Sequence, residues 1–224
     1  TDIEDEISDD IYNQSIRDYN NYKEYSINEL DSLHILQYQE DTQHSHIGID
    51  GNFTIARSIN SSLYYIYNAI RSDWPYGLSP GGLAINAYNG HSFWDCETWI
   101  FPVLLTLDSI NLNLSFSILD YRIKRLKYAK ERALKRNYNG AMYPWESAYS
   151  GIDVTPIGNI EGDYEIHSTG DIAMAFRLLY YASGNIKWLK DKAWPIMNEI
   201  CQFFASRVSI KEKNYYTIYN IQPP

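Results

Sequence analysis

Gly90-His91-Ser92-Phe93-Trp94-Asp95-Cys96-Glu97-Thr98-Trp99-Ile100-Phe101-Pro102 is the stretch on which the reading of this chain turns. It gathers aromatic rings, two carboxylates and a histidine into one short span, then gives way to the apolar Val103-Leu104-Leu105. A plain helix start with aromatic core residues would look like this too. Flat rings beside carboxylates also suit the holding of a sugar: the ring stacks on the apolar face of a pyranose, and the carboxylate accepts paired hydrogen bonds from neighbouring hydroxyls. A second stretch of the same kind, Tyr143-Pro144-Trp145-Glu146-Ser147, favours the sugar reading, because it again pairs a tryptophan with a carboxylate.

Outward from the first stretch, toward the N-terminus, lies a glycine-rich loop from Tyr76 to Asn89 that contains Ser79-Pro80-Gly81-Gly82. It is no phosphate cradle, since no Lys-Ser/Thr follows at the required spacing. Before it, Ile55, Ile59, Leu63, Ile66 and Ile70 recur at helical intervals and predict a helix from Phe53 that ends near Trp74-Pro75. Residues 1–50 are polar and acidic and read as a lead-in or linker with short helical pieces.

Toward the C-terminus, a helix is expected to about Leu107, with Asp95 and Glu97 suited to its N-terminus. A longer one follows over about 114–136, with Phe116, Leu119, Ile123, Leu126 and Ala133 on one face and Lys and Arg on a solvated opposite face. Asn139-Gly140 is expected to stop it. Ser168 with Asp171 resembles a capping pair for a helix from about Gly170 to Ala182, ended by Gly184-Asn185. Pro195 opens a last helix to Arg207, and Tyr215 to Tyr219 reads as a strand. Antiparallel helices that carry long functional loops at one end predict an all-α fold of α/α-barrel type.

The 224 residues carry a net charge of -9, which argues against nucleic acid and an anionic membrane surface as partners. No apolar run reaches the roughly 18 residues of a membrane span. Cys96 and Cys201 make no disulfide framework, and Cys96 reads as a packing residue. His91, Glu97, Glu165 and His167 lack the spacing of a metal site, no G-x-S-x-G is present, and no cofactor is implied.

Taken in order, Gly90 to Trp99, Tyr121-Arg122, Gly140-Ala141-Met142-Tyr143-Pro144-Trp145-Glu146-Ser147-Ala148, Glu165-Ile166-His167 with Gly170-Asp171-Ile172, and Ser206-Arg207-Val208 resemble glycoside hydrolase family 65. The branch of acid trehalase and protein-glucosylgalactosylhydroxylysine glucosidase is the nearest in pattern, over about residues 50–224. The resemblance implies an (α/α)6-barrel catalytic domain that acts on α-glucosides with inversion at the anomeric carbon. It places Trp94 and Asp95 on the glucose ring, with Phe93 and His91 beside them, and puts Trp145 and Glu146 in another part of the sugar-binding loops. Asp95 then positions substrate and is not a catalytic acid. The family's general acid is a glutamate in an Asp-Glu pair, expected just after Pro224. The expectation is therefore an incomplete (α/α)6 barrel: residues 1–50 as lead-in and residues 51–224 as the N-terminal portion of the catalytic domain, inactive alone. A phosphorylase of α-linked glucose disaccharides and a non-catalytic sugar-binding remnant are the alternatives.

Overall fold

A computed structural model describes residues 9–42, 46–108, 112–211 and 215–224. They fall into two compact units, Thr1–His46 and Ile47–Pro224.

The first unit holds α1 (Asp9–Tyr22) and α2 (Ile27–Thr42), which are longer than the short pieces expected from the sequence. A capping box starts α2: Glu29 Oε2 accepts from the Ser26 amide at 2.8 Å and the Ser26 hydroxyl at 2.7 Å. Both bonds favour the ionised form and hold the Glu29 carboxyl below its usual range.

Among its described residues, the regular structure of the second unit is helical apart from one small ribbon and two isolated bridges. Its first helix, α3 (Phe53–Ala69), begins where Asn52 accepts from the Ile55 amide and ends at the extended Ile70. After a run of turns, a π-helical turn over Cys96–Ile100 leads into α4 (Phe101–Leu107). Next come α5 (Asn113–Lys124) and α6 (Leu126–Lys135), then the short α7 (Glu161–Tyr164) and the long α8 (His167–Ser183). A single turn, α9 (Ile186–Trp188), runs through a π turn (Leu189–Ala193) into α10 (Trp194–Arg207). Strands β1 (Ser209–Lys211) and β2 (Tyr215–Thr217) pair antiparallel, Ser209 opposite Thr217.

The core forms where apolar stripes meet. Ile172, Ala175, Phe176 and Leu179 recur at three and four along α8 and pack with Phe101 and Leu104 of α4, Leu119 of α5, and Ile196 and Ile200 of α10. Trp188 stacks on Phe176 at 5.7 Å between ring centroids and extends this core to α9.

Four local expectations are corrected. The single helix over 114–136 is two helices, interrupted at Arg125, whose backbone leaves helical geometry at φ -104 and ψ 7. The break sends the Arg125 side chain inward, where Nε and Nη2 donate to the Tyr149 carbonyl at 3.1 and 2.8 Å. Only part of the basic run is solvated: Lys124, Lys127, Lys130 and Lys135 are exposed, but Arg122, Arg125 and Arg132 are only 3%, 1% and 6% exposed. The stop of α6 comes at Asn137, in the left-handed region at φ 62, and not at Asn139-Gly140. There the Tyr138 amide reaches Ala133 O and the Asn137 amide reaches Leu134 O, a Schellman ending. At the start of α8, Ser168 Oγ is buried without a partner, and His167 is the side chain that bonds Asp171.

Gly140 has a different task. At φ +72 it lets the chain press against α10, and an added Cβ would lie 2.1 Å from Glu199 O and 2.5 Å from Phe203 N. Both obstacles are helix backbone and cannot swing away. Gly140→Ala is expected to lower the unfolding free energy by at least about 2 kcal/mol, read as an earlier urea midpoint at unchanged slope. An unchanged midpoint would mean that this contact does not hold in solution.

Candidate functional site

The two tryptophan-carboxylate loops are clasped backbone to backbone. Ser92 and Ser147 exchange both of their amide-carbonyl bonds, at 2.8 and 3.1 Å, as an isolated antiparallel bridge. Ser147 bridges on its other side to Asp153, so the second loop lies between two extended neighbours. Side chains follow this register. His91 Nδ1 meets Glu146 Oε1 at 2.6 Å, and Phe93 meets Trp145 edge to face at 5.0 Å and 88°.

A buried polar frame holds the clasp from below. Glu97 is 0% exposed and takes Arg122 Nε at 2.7 Å and Nη2 at 3.0 Å, one bond on each carboxylate oxygen. That forked geometry requires an ionised carboxylate. Burial pushes the Glu97 pKa up, against the pull of the Arg122 charge. Burial pulls on Arg122 as well, but the Glu97 charge and hydrogen bonds outweigh it and hold the guanidinium above its ordinary range. Arg122 also donates to Phe93 O at 3.3 Å and reaches Ser147 Oγ at 3.5 Å, so one guanidinium touches both loops. The neighbouring Tyr121 hydroxyl donates to Ala148 O at 2.6 Å and lies 2.9 Å from Ser147 Oγ. Tyr143 joins the second loop to two helices. Its hydroxyl donates to Arg122 O at 2.9 Å, and its amide donates to Thr169 Oγ1 at 3.0 Å.

Arg132 fixes the far end of the second loop. It donates to Asp153 Oδ2 at 2.6 Å, to Tyr143 O and to Gly162 O. Burial pulls its pKa down, yet a guanidinium remains charged at neutral pH. At Asp153, burial works to raise the pKa, but the Arg132 charge and the hydrogen bonds from Arg132 and Thr155 outweigh it and leave the carboxyl below its usual range. The stability this gives is complete above the unfolded-state carboxylate pKa and is lost as pH falls through the lower folded value. Asp153→Asn is therefore expected to cost about 1–3 kcal/mol at pH 7 and progressively less toward pH 3 in urea titrations. A deficit that does not shrink with acid would contradict this role.

The upper surface of the first loop is different. Trp94 and Asp95 are partly exposed. The Asp95 carboxylate has no hydrogen-bond or ion-pair partner among the described residues. Trp94 meets His167 edge to face at 5.2 Å and Trp99 at 6.3 Å. His167 opens α8, with Nδ1 2.7 Å from Asp171 Oδ2 and Nε2 3.6 Å from Glu165 Oε2.

Of the residues singled out from sequence, His91 touches Glu146 and Phe93 touches Trp145, while Trp94 meets His167. Phe93 and Glu146 are buried. They support their neighbours, and Trp94, Asp95 and His91 keep accessible surface. Trp145 meets Phe93 edge to face, and its Nε1 is buried without a partner among the described residues. Burial pushes the Cys96 thiol up to about 12, which suits packing and not nucleophilic attack. Sequence reasoning missed the frame: Arg122, Arg125, Arg132 and the pairing of Glu97. The signal was there. Arg122, Arg125, Ala129 and Arg132 keep the spacing of a single helix face, and Ala129 on that face is buried.

With this geometry in place, three comparisons with known proteins converge. Residues 60–224 match the model of the glycosyl hydrolase family 65 central catalytic domain. The protein-glucosylgalactosylhydroxylysine glucosidase of Dictyostelium discoideum is 46% identical over 80% of this chain and 26% of its own length. The kojibiose hydrolase of Flavobacterium johnsoniae is 41% identical over 79% of this chain and 26% of its own. The kojibiose phosphorylase of Thermoanaerobacter brockii is 29% identical over 85% and 26%. The chain spans about a quarter of the length of these relatives. In fold it is similar to the solved structure "Putative kojibiose phosphorylase from human microbiome", with TM-score 0.85 and 21% identity over 95% of this chain and 28% of that one.

Proposed function

This chain belongs to glycosyl hydrolase family 65, and on that premise we propose that it supplies the sugar-gripping part of an inverting α-glucosidase. Residues 51–224 would form the N-terminal portion of an (α/α)6-barrel catalytic domain, with residues 1–50 as its lead-in. Trp94 provides the platform for the glucose ring, and Asp95 accepts hydrogen bonds from its hydroxyls. His91, oriented by Glu146, and Trp145, braced by Phe93, line the neighbouring loop. The observation that carries this reading is the Asp95 carboxylate, accessible and unpartnered among the described residues, beside the partly exposed Trp94 indole. It is a hydrogen-bond acceptor that the fold itself does not use.

Inverting hydrolysis needs two carboxyl groups about 6.5–9.5 Å apart, one to protonate the leaving oxygen and one to activate water. Asp95 is assigned neither task here. The substrate class is an α-glucoside of the kind that trehalose, kojibiose or a glucosyl-galactosyl-hydroxylysine unit presents, and two of the similar hydrolases carry the last two in their names.

The test is proton NMR of the full natural protein carrying these residues, mixed in turn with each of the three glucosides. β-Glucose as the first anomer released supports the proposal, and α-glucose first contradicts inversion. Turnover that requires added phosphate, with a glucose phosphate as product, would replace the hydrolase by a phosphorylase. Saturable glucose binding without turnover would leave a sugar-binding protein.

A further inference from the structure

His167 bears none of the duties so far assigned, yet it is the side chain that connects the exposed indole to the core. Its ring and that of Trp94 meet edge to face, at 5.2 Å between centroids and 77° between planes. Behind it, Nδ1 lies 2.7 Å from Asp171 Oδ2, one helical turn along α8. A His–Asp pair at this spacing on one helix fixes both side-chain torsions of the imidazole. The helix that carries both residues is anchored by Ile172, Ala175, Phe176 and Leu179, all fully buried. On the third side, Glu165 is buried, and its Oε2 faces His167 Nε2 at 3.6 Å. Neither of those atoms has a hydrogen-bond partner among the described residues. The imidazole is thus flanked by two carboxylates and an indole; it keeps part of its surface, but Nε2 is buried.

We propose that His167 is a positioning residue: it fixes the plane of the Trp94 indole before sugar arrives, with Asp171 fixing His167 in turn. This rests on the reading of Trp94 and Asp95 as the glucose grip. An indole that is mobile in the free protein must be ordered on binding, and the lost freedom of such a side chain subtracts from affinity. An edge-to-face ring contact to a rigid helix removes that cost beforehand. Trp99 cannot do so alone, since it is itself exposed and meets Trp94 in a looser, tilted arrangement at 6.3 Å and 50°. The effect belongs to binding. Removal of the brace weakens ground-state and transition-state stacking alike, so KM rises while kcat stays close to its original value.

The experiment combines kinetics with the fluorescence of Trp94 in the full natural protein. His167→Ala is expected to raise KM for the glucoside about tenfold with kcat within about threefold. Asp171→Asn should raise KM less, and His167→Phe, which keeps a ring edge but not the bond to Asp171, should lie between. In a Trp94→Phe background the His167→Ala effect on KM should largely disappear, because two residues that act through one contact are not additive. The difference in emission between each protein and its Trp94→Phe counterpart reports the indole directly, and His167→Ala should lower its anisotropy. An unchanged KM, or a full effect that persists without Trp94, overturns the proposal. If no glucoside is turned over at all, the glycosidase reading fails on its own, and unchanged Trp94 anisotropy in His167→Ala and His167→Gln would separately overturn the brace.

Discussion

Asp95→Ala in the full natural protein is expected to lower kcat/KM for its glucoside by about a hundred- to a thousandfold while leaving the unfolding midpoint in place. The two halves of this expectation have separate causes. Hydrogen bonds to sugar hydroxyls that strengthen in the oxocarbenium-like transition state contribute several kcal/mol, and each 1.36 kcal/mol is a tenfold change in rate. The same carboxylate contributes nothing to the fold, because it is accessible and has no partner among the described residues. Substitution at such a position changes stability by no more than about 0.5 kcal/mol. Glu97→Ala gives the contrast two residues away, since it should lose activity and stability together. Steady-state kinetics beside urea unfolding tells these cases apart. Wild-type turnover from Asp95→Ala would remove Asp95 from the substrate, and a large stability loss would show that it has a structural partner in solution.

Apolar periodicity made α3 and α10 legible, because a helix that buries one stripe must repeat it every three or four residues, whereas α8 was read from its end signals. Gly184 ends α8 as read, with its amide on Tyr180 O and φ +60. Charge was harder to read. Lys and Arg at helical spacing look the same on a solvated face and on a face that meets carbonyls, and only distant partners separate the two. Those partners are Glu97 for Arg122, Tyr149 O for Arg125 and Asp153 for Arg132, each more than twenty residues away in sequence. A local reading therefore placed Glu97 at a helix N-terminus, where a carboxylate is welcome, although it serves the interior. The candidate site residues were legible as residue types, and which of them reach the surface was not. Phe93 and Glu146 carry the same residue types as their neighbours but lie beneath the surface. Burial within a loop depends on the register of the Ser92–Ser147 bridge, across 55 residues of chain, and no periodic signal encodes that.

The buried pair itself sets the second large expectation. Arg122→Ala should lower the unfolding free energy by about 3–5 kcal/mol, because it leaves the wholly buried Glu97 without its counter-ion. Four contacts disappear with one side chain: both Glu97 oxygens, Phe93 O and Ser147 Oγ. Glu97→Ala leaves Arg122 two of these acceptors and should cost somewhat less. In Arg122→Ala, burial acts on Glu97 unopposed, and its already raised pKa moves further up. A folded-state pKa above the unfolded one means that the folded variant binds the extra proton, so its deficit is widest above the folded value and narrows as pH falls. In wild type the Arg122 charge opposes burial and the Glu97 pKa is raised less, so the same relief is smaller. A volume-matched apolar replacement, Glu97→Leu with Arg122→Met, removes both charges and should recover most of the loss. Its clasp would still lack the donors to Phe93 O and Ser147 Oγ, so activity should remain low where stability returns. Urea midpoints at several pH values, with kinetics on the double variant, decide the matter. If Arg122→Ala stays within about 1 kcal/mol of wild type, or the double variant regains full activity, the pair does not hold the two loops together.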